Sequence, residues 1–142
     1  MALKDILVIS GQSGIFRFVS RGRTTVIVEN IVDGKRSNVA ATAQLSMLED
    51  IAVFTEKDEV PLHKIFKRIQ AKENGGSAIH HKSPDAELRQ YFETILPDYD
   101  KERVYLSDIR KMLMWYNALI ALGITSFDKE EDKEETATDS KP

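Results

Sequence analysis

Apolar positions along the chain follow two different periods, which divide it into a β-rich part and a helical part. Between residues 6 and 41, runs rich in Ile, Val, Phe and Thr are separated by short segments rich in Gly, Ser and Asp. The first group of side chains suits a pleated, half-buried surface, and the second group suits turns. This pattern predicts a four-strand β-meander over residues 5–10, 15–19, 24–32 and 37–41.

The next segment extends this β-rich part. Residues 42–50 predict a short helical turn, and residues 51–55 predict a fifth strand. Five short strands over residues 1–57 favour a small closed SH3-like barrel, because closure removes sheet edges that invite aggregation. An open four-stranded sheet covered by the next helix is the alternative.

From residue 59 the apolar period becomes that of a helix. A connecting amphipathic helix is predicted over residues 58–73, a flexible linker over 74–83 and a helical module of two helices over 84–124. Ser83 and Ser107 are the predicted N-caps of those two helices. The first helix presents four apolar residues on one face: Leu62, Ile65, Phe66 and Ile69. The predicted fold class is therefore α+β, with an SH3-like barrel followed by a helix, a linker and a C-terminal helical hairpin.

Composition narrows the class of protein. The chain has no cysteine, which fits a reducing compartment, and no apolar run approaches the roughly 20 residues of a membrane helix. We therefore expect a cytoplasmic protein. Residues 125–142 are rich in charge and poor in apolar side chains, which predicts a disordered acidic tail because little can be buried there.

Charge is distributed unevenly, and this points to a candidate binding surface. Residues 1–45 carry six basic and three acidic side chains, although the whole chain has a net charge of -3. A basic surface with an exposed aromatic ring is typical of proteins that bind single-stranded nucleic acid, and Phe16 or Phe18 supplies a ring if one faces outward. The alternative is that both rings are buried and the cations form a solvated rim. The candidate nucleic-acid-binding residues are Arg17, Arg21, Arg23, Lys35 and Arg36.

Three other motifs do not indicate a phosphate-binding or metal-binding site. The glycines of SGQSG precede a strand rather than a helix, so they predict a turn and not a phosphate loop. His80 and His81 are expected to diverge and to make a poor metal site. The alternating acids Asp98, Asp100 and Glu102 lack the later glycine and glutamate of a calcium loop. We predict no catalytic, cofactor-binding or metal-ligating residue, and no cofactor.

Met114 and Trp115 lie off the main apolar stripe of the last predicted helix. If exposed, they form a candidate surface for a protein partner or for a homodimer; the alternative is burial against the β-rich part. Three functions therefore remain open. The first is a non-enzymatic module that binds nucleic acid or a ribonucleoprotein, the second is a protein-interaction adaptor or dimerising protein, and the third is an enzyme with a site between the modules.

Four segments resemble an uncharacterised family of small cytoplasmic proteins from Bacteroidota. They are ALKDILVISGQSGIFRFVSRGR, VENIVDGKR, IAVFTEKDEVPL and DIRKMLMWYNAL, and the resemblance covers residues 1 to about 124. It implies a domain of unknown function and supplies no activity or binding residue.

Overall fold

The computed structural model describes residues 2–12 and 14–127, and within them it contains a five-stranded antiparallel sheet, a two-stranded sheet and three α-helices. The larger sheet has the strand order β4-β3-β2-β1-β5. Its strands are β1 Ile6–Ile9, β2 Phe16–Arg21, β3 Thr25–Asn30, β4 Arg36–Ala40 and β5 Leu45–Met47. The α+β class and the predicted meander of the first four strands are confirmed.

The turn between β3 and β4 has the chemistry expected of Asp33-Gly34. Gly34 has a φ of +77°, a conformation that residues with a Cβ rarely adopt. The Asn30 side chain accepts a hydrogen bond from the backbone N–H of Val32 at 2.8 Å, and the Asp33 side chain accepts one from that of Lys35 at 2.8 Å. These side chains accept hydrogen bonds from backbone N–H groups in the turn, where the chain does not pair with a neighbouring strand.

The predicted closed barrel is not confirmed. Strands β4 and β5 are the two edges of the sheet, so it is open in its hydrogen bonding. The predicted fifth strand does not join this sheet; instead β6 (Ala52–Phe54) pairs with β7 (Glu59–Pro61). The position beside β1 is taken by β5, within a segment for which we predicted a helical turn, and only Leu48–Asp50 forms a short 3₁₀ helix there.

The helices are α1 Leu62–Lys72, α2 Asp85–Ile95 and α3 Leu106–Ala121. The predicted N-cap Ser107 is wrong, because α3 begins earlier and Ser107 lies in its first turn. Tyr105 occupies the cap position, and its backbone N–H donates to the Asp108 carboxylate at 2.9 Å. For α2, Pro84 rather than Ser83 occupies the cap position.

Strand β1 contributes to two hydrophobic cores. Ile6 and Val8 belong to the larger core, together with the apolar faces of all three helices. Leu7 and Ile9 point to the opposite side and belong to a smaller core made by the sheet. The buried members of this smaller core are Leu7, Ile9, Phe16, Val26, Val28 and Val39.

Residues 74–83, predicted as a flexible linker, are hydrogen bonded to α3 at several points. The Tyr116 hydroxyl donates to the Gly76 carbonyl at 2.8 Å, and the Arg110 guanidinium donates to the His81 carbonyl at 2.6 Å. The Asn117 side chain accepts from the N–H of Ala78 at 2.7 Å and donates to its carbonyl at 3.3 Å. The larger core therefore joins residues on both sides of the double glycine, where we had placed a boundary between modules.

The end of the described chain packs into the larger core. Phe127, which we had included in the tail, is 1% exposed and lies 5.4 Å from Phe66 and 5.8 Å from Tyr116 between ring centroids. The Gln70 side chain donates to the Thr125 carbonyl at 2.8 Å. The rest of the predicted tail, residues 128–142, lies outside the described residues.

Candidate nucleic-acid interface

Phe18 is exposed because β1 does not extend alongside it. Ile6 is the first residue of β1, and it pairs with Arg17 of β2. The same register would place Asp5 opposite Phe18, but Asp5 belongs to a 3₁₀ helix, Leu3–Asp5. The Phe18 ring therefore lies beyond the paired part of β1, and Phe18 is 49% exposed.

A surface groove with a volume of about 510 Å³ lies at this point. Leu7 and Met47 are paired neighbours on β1 and β5, and they supply apolar surface. Phe18 supplies an aromatic ring beside them. The groove, which we call the Phe18 groove, is lined by Lys4, Asp5, Leu7, Arg17, Phe18 and Met47. It combines an aromatic ring, aliphatic surface, two cations and one carboxylate.

Arg17 and Arg36 share one carboxylate. The Arg17 Nε lies 2.8 Å from one oxygen of Glu29, and the Arg36 Nε lies 3.2 Å from the other. Hydrogen bonds from Arg17 and Arg36, together with their positive charges, lower the pKa of Glu29 below its ordinary value. Two of the five predicted cations are therefore paired with the same carboxylate.

The other three predicted cations divide between the two ends of β3. Arg21 and Arg23 lie at the hairpin between β2 and β3, where the Gly22 N–H donates to the Thr25 carbonyl. Lys35 lies in the turn between β3 and β4, about 17 Å away along the strand. Within residues 2–12 and 14–127, these three side chains have no ion pair. The five cations thus do not converge on one patch, and Arg21 and Arg23 are the pair beyond Phe18 along β2.

The two phenylalanines of β2 have different environments. Phe16 is 5% exposed and belongs to the smaller core, whereas Phe18 is about half exposed. The interpretation in which both rings are buried is therefore wrong for Phe18. The ring that faces outward lies in the groove that holds Lys4 and Arg17.

Trp115 is buried, as the second of our two interpretations expects. It is 8% exposed and lines a small cavity between β6 and α3, and Met114 is half-buried against the same core. Neither side chain forms the exposed aromatic surface on which the adaptor hypothesis depended. Phe54, which lines the same cavity, is 41% exposed and is covered on one side by the Arg103 guanidinium, 4.2 Å from its ring centroid.

The remaining motifs have local structural roles. The rings of His80 and His81 stack with centroids 4.4 Å apart, so our expectation that they diverge is wrong. Burial, followed by the neighbouring charges of His80, Lys82 and Arg110, lowers the pKa of His81. Asp100 accepts hydrogen bonds from the backbone of Glu102 and Arg103 and from the Arg103 Nε, which hold the turn before α3. Among the described residues, no group of three or more His, Asp or Glu side chains is arranged to hold a metal ion.

Four residues of the Phe18 groove were missed from the sequence: Lys4, Asp5, Leu7 and Met47. Lys4 and Asp5 belong to a 3₁₀ helix that no sequence motif predicted. Met47 lies in strand β5, which we did not predict. The available signal was the alternation of Leu45 and Met47 around Ser46, which is typical of a half-buried strand but is very short. No helix within the described ranges has the length and apolar character needed to cross a bilayer.

The fold and the groove define a small α+β protein with an exposed aromatic ring on its five-stranded sheet, and the comparisons with known proteins place it in a family. Residues 3–48 match the model described as Domain of unknown function (DUF5606), and residues 51–119 match Domain of unknown function (DUF6852). The chain is similar to a solution NMR structure from Bacteroides vulgatus, a structural genomics target. The two chains are 40% identical, the match covers 88% of this chain and 90% of that one, and the TM-score is 0.71. No curated protein matches.

The chain therefore belongs to the family of proteins of unknown function that these two models describe. The boundary between the two matches falls at the 3₁₀ helix Leu48–Asp50, before β6, and not at the double glycine. All six residues of the Phe18 groove lie within the first match.

Proposed function

We propose that this protein is a non-enzymatic binding module that holds single-stranded nucleic acid across the Phe18 groove. The observation that carries the proposal is the exposed Phe18 ring with Lys4 and Arg17 in the same groove. An aromatic ring stacks on any base, and neighbouring cations contact the phosphates that follow.

Charge supports the same surface. The segment that matches the first family model carries six basic and three acidic side chains, whereas basic and acidic side chains balance in the second. Arg21 and Arg23 continue the line of β2 beyond Phe18, about 10 Å away along the strand. A nucleic acid strand of a few nucleotides spans that distance, with one base on Phe18 and its phosphates at the hairpin.

An SH3-like curvature of the sheet fits this function, and we propose it as the finer description of the fold. All five strands of the larger sheet supply residues to the smaller core or to its margin, and among the described residues no helix contributes to that core. A sheet that curves over its own face would bury those residues. Curved β-surfaces of this kind are used repeatedly to bind single-stranded nucleic acid. A cytoplasmic location remains a prediction consistent with such a ligand.

The test is binding of a short, fluorescently labelled uridine oligonucleotide, followed by polarisation from about 50 mM to about 500 mM salt. Phe18→Ala should weaken binding about 5- to 150-fold, the usual effect of losing one stacked base. Arg21→Ala with Arg23→Ala should weaken it about 20-fold near 100 mM salt, and it should reduce the slope of log affinity against log salt from about -2 to about -0.7.

The matched control is Lys57→Ala with Lys64→Ala, which removes the same charge from exposed positions in the β6–β7 turn and on α1. This variant should bind within about twofold of the wild type if the effect is local. Thermal unfolding of each variant checks that it is folded. Absence of binding at low salt, or equal losses in the hairpin and control variants, would refute the proposal.

A further inference from the structure

One lining residue of the Phe18 groove does not suit a site that only attracts phosphate. Asp5 lines the groove together with Phe18, from the 3₁₀ helix that precedes β1. A negative charge in a phosphate site lowers affinity for every nucleic acid. A carboxylate in this groove can, however, accept hydrogen bonds from the edge of a base.

The Asp5 carboxylate is held in place and retains capacity to accept hydrogen bonds. One of its oxygens, Oδ2, accepts the backbone N–H of Ala2 at 2.9 Å, and this contact closes the 3₁₀ helix. A carboxylate has two oxygens with about four acceptor positions, so one backbone contact leaves most of them available. Asp5 is exposed to solvent, so a ligand can reach the remaining positions.

Resting on the function proposed above, we infer that the groove prefers guanine, because Asp5 accepts hydrogen bonds from the Watson–Crick edge of the base stacked on Phe18. Guanine presents two adjacent donors, N1–H and N2–H, whose geometry matches the two oxygens of a carboxylate. Adenine and cytosine each present one amino group beside a ring nitrogen acceptor. Uracil presents a single N3–H between two carbonyl oxygens, which repel the carboxylate. The expected order is guanine first, then adenine and cytosine, then uracil.

The cations of the groove are compatible with this orientation. Arg17 is paired with Glu29 through its Nε, and the alternation of side chains along β2 directs it to the face opposite Phe18, so it leaves the ring open to a base. Lys4 precedes Asp5 in the same 3₁₀ helix and lines the same groove.

The test compares two RNA oligonucleotides that differ in one base: a short uridine strand, and the same strand with a single central guanosine. The wild type should bind the guanosine strand about tenfold more tightly, the usual discrimination of a good two-point contact to a base. Strands with a central adenosine or cytidine should lie between the two. Measurements on Phe18→Ala should show a smaller preference, because the base is no longer held against Asp5.

Asp5→Asn is the decisive variant. The asparagine side chain keeps one oxygen for the Ala2 N–H, so the 3₁₀ helix is preserved, but it replaces the second acceptor with a donor. We expect the preference for guanosine to fall below about twofold, while affinity for the uridine strand is unchanged or higher. Glu56→Gln, which removes the same charge from an exposed residue outside the groove, should keep the preference.

Three outcomes separate this inference from the proposed function. If the wild type binds both strands equally, the base preference is overturned and nucleic-acid binding stands. If Asp5→Asn retains the preference for guanosine, the role of Asp5 is overturned. If neither strand binds at low salt, the proposed function and this inference both fail.

Discussion

Replacing Asn117 with alanine tests whether the segment around the double glycine is part of the folded core. Asn117 lies on α3, and its side chain makes three hydrogen bonds with the backbone of residues 78 and 79. Its Oδ1 accepts the Ala78 N–H at 2.7 Å, and its Nδ2 donates to the carbonyls of Ala78 and Ile79, each at 3.3 Å. Ala78 is itself buried in the larger core.

The expected loss of stability follows from these contacts. The short bond contributes about 1 kcal/mol and the two longer ones about 0.5 kcal/mol each. The Ala78 N–H, buried without its acceptor, adds about 1 kcal/mol to the cost. Alanine is a better helix former than asparagine by about 0.6 kcal/mol, which offsets part of this. We therefore expect the free energy of unfolding to fall by about 2 kcal/mol.

Urea denaturation followed by the fluorescence of Trp115, the single tryptophan of the chain, measures this change. Hydrogen exchange gives a local measurement, because the Ala78 amide should exchange faster in Asn117→Ala. The matched control is Gln90→Ala on the exposed face of α2, which should change stability by less than about 0.5 kcal/mol. If Asn117→Ala behaves like this control and the Ala78 amide is no less protected, residues 74–83 behave as the flexible linker of our sequence prediction.

Two further predictions concern the larger core and the paired carboxylates. Phe127→Ala should lower the free energy of unfolding by about 3 kcal/mol in the same assay, because Phe127 fills a site between Phe66 and Tyr116. Ser126→Ala is the control. A loss below about 1 kcal/mol in Phe127→Ala would contradict this packing. Hydrogen bonds from Arg17 and Arg36 lower the pKa of Glu29, and hydrogen bonds from Arg103 and the backbone lower that of Asp100. The two ionised carboxylates therefore stabilise the folded state above the unfolded pKa of about 4, and this stabilisation is lost as the pH falls through their pKa values in the folded protein. Asp100→Asn should accordingly lose less stability than the wild type when the pH is lowered in an acid-unfolding experiment.

The β-meander and the helices could be predicted because their signals are local. Glycine and aspartate at the turns, β-branched residues between them and helical spacing from Leu62 onward each depend on a few neighbouring residues. Strands β5 and β7 could not be predicted in the same way, because three residues carry too little alternation. They are strands because β1 and β6 lie beside them, which is a tertiary effect.

The candidate site was predictable only in part. The sequence indicated an aromatic ring and cations on β2, but it could not decide between Phe16 and Phe18, since both lie on the same side of that strand. The choice depends on where β1 begins, at Ile6, and this start leaves Phe18 without a covering strand. The predicted partner surface at Trp115 depended on exposure, but this side chain, which helical spacing places beside the main stripe, is buried in the larger core.

Both faces of β1 are buried, and this affects how the protein unfolds. Leu7 and Ile9 hold the sheet together, while Ile6 and Val8 are inserted among the helices, and the backbone between them is the same four residues. If the sheet unfolded alone, β1 would be lost from the larger core. If the helices unfolded alone, the face of β1 that carries Ile6 and Val8 would be exposed to water. The two regions that the family models treat separately are thus expected to melt in a single cooperative transition, and neither should be stable when expressed alone.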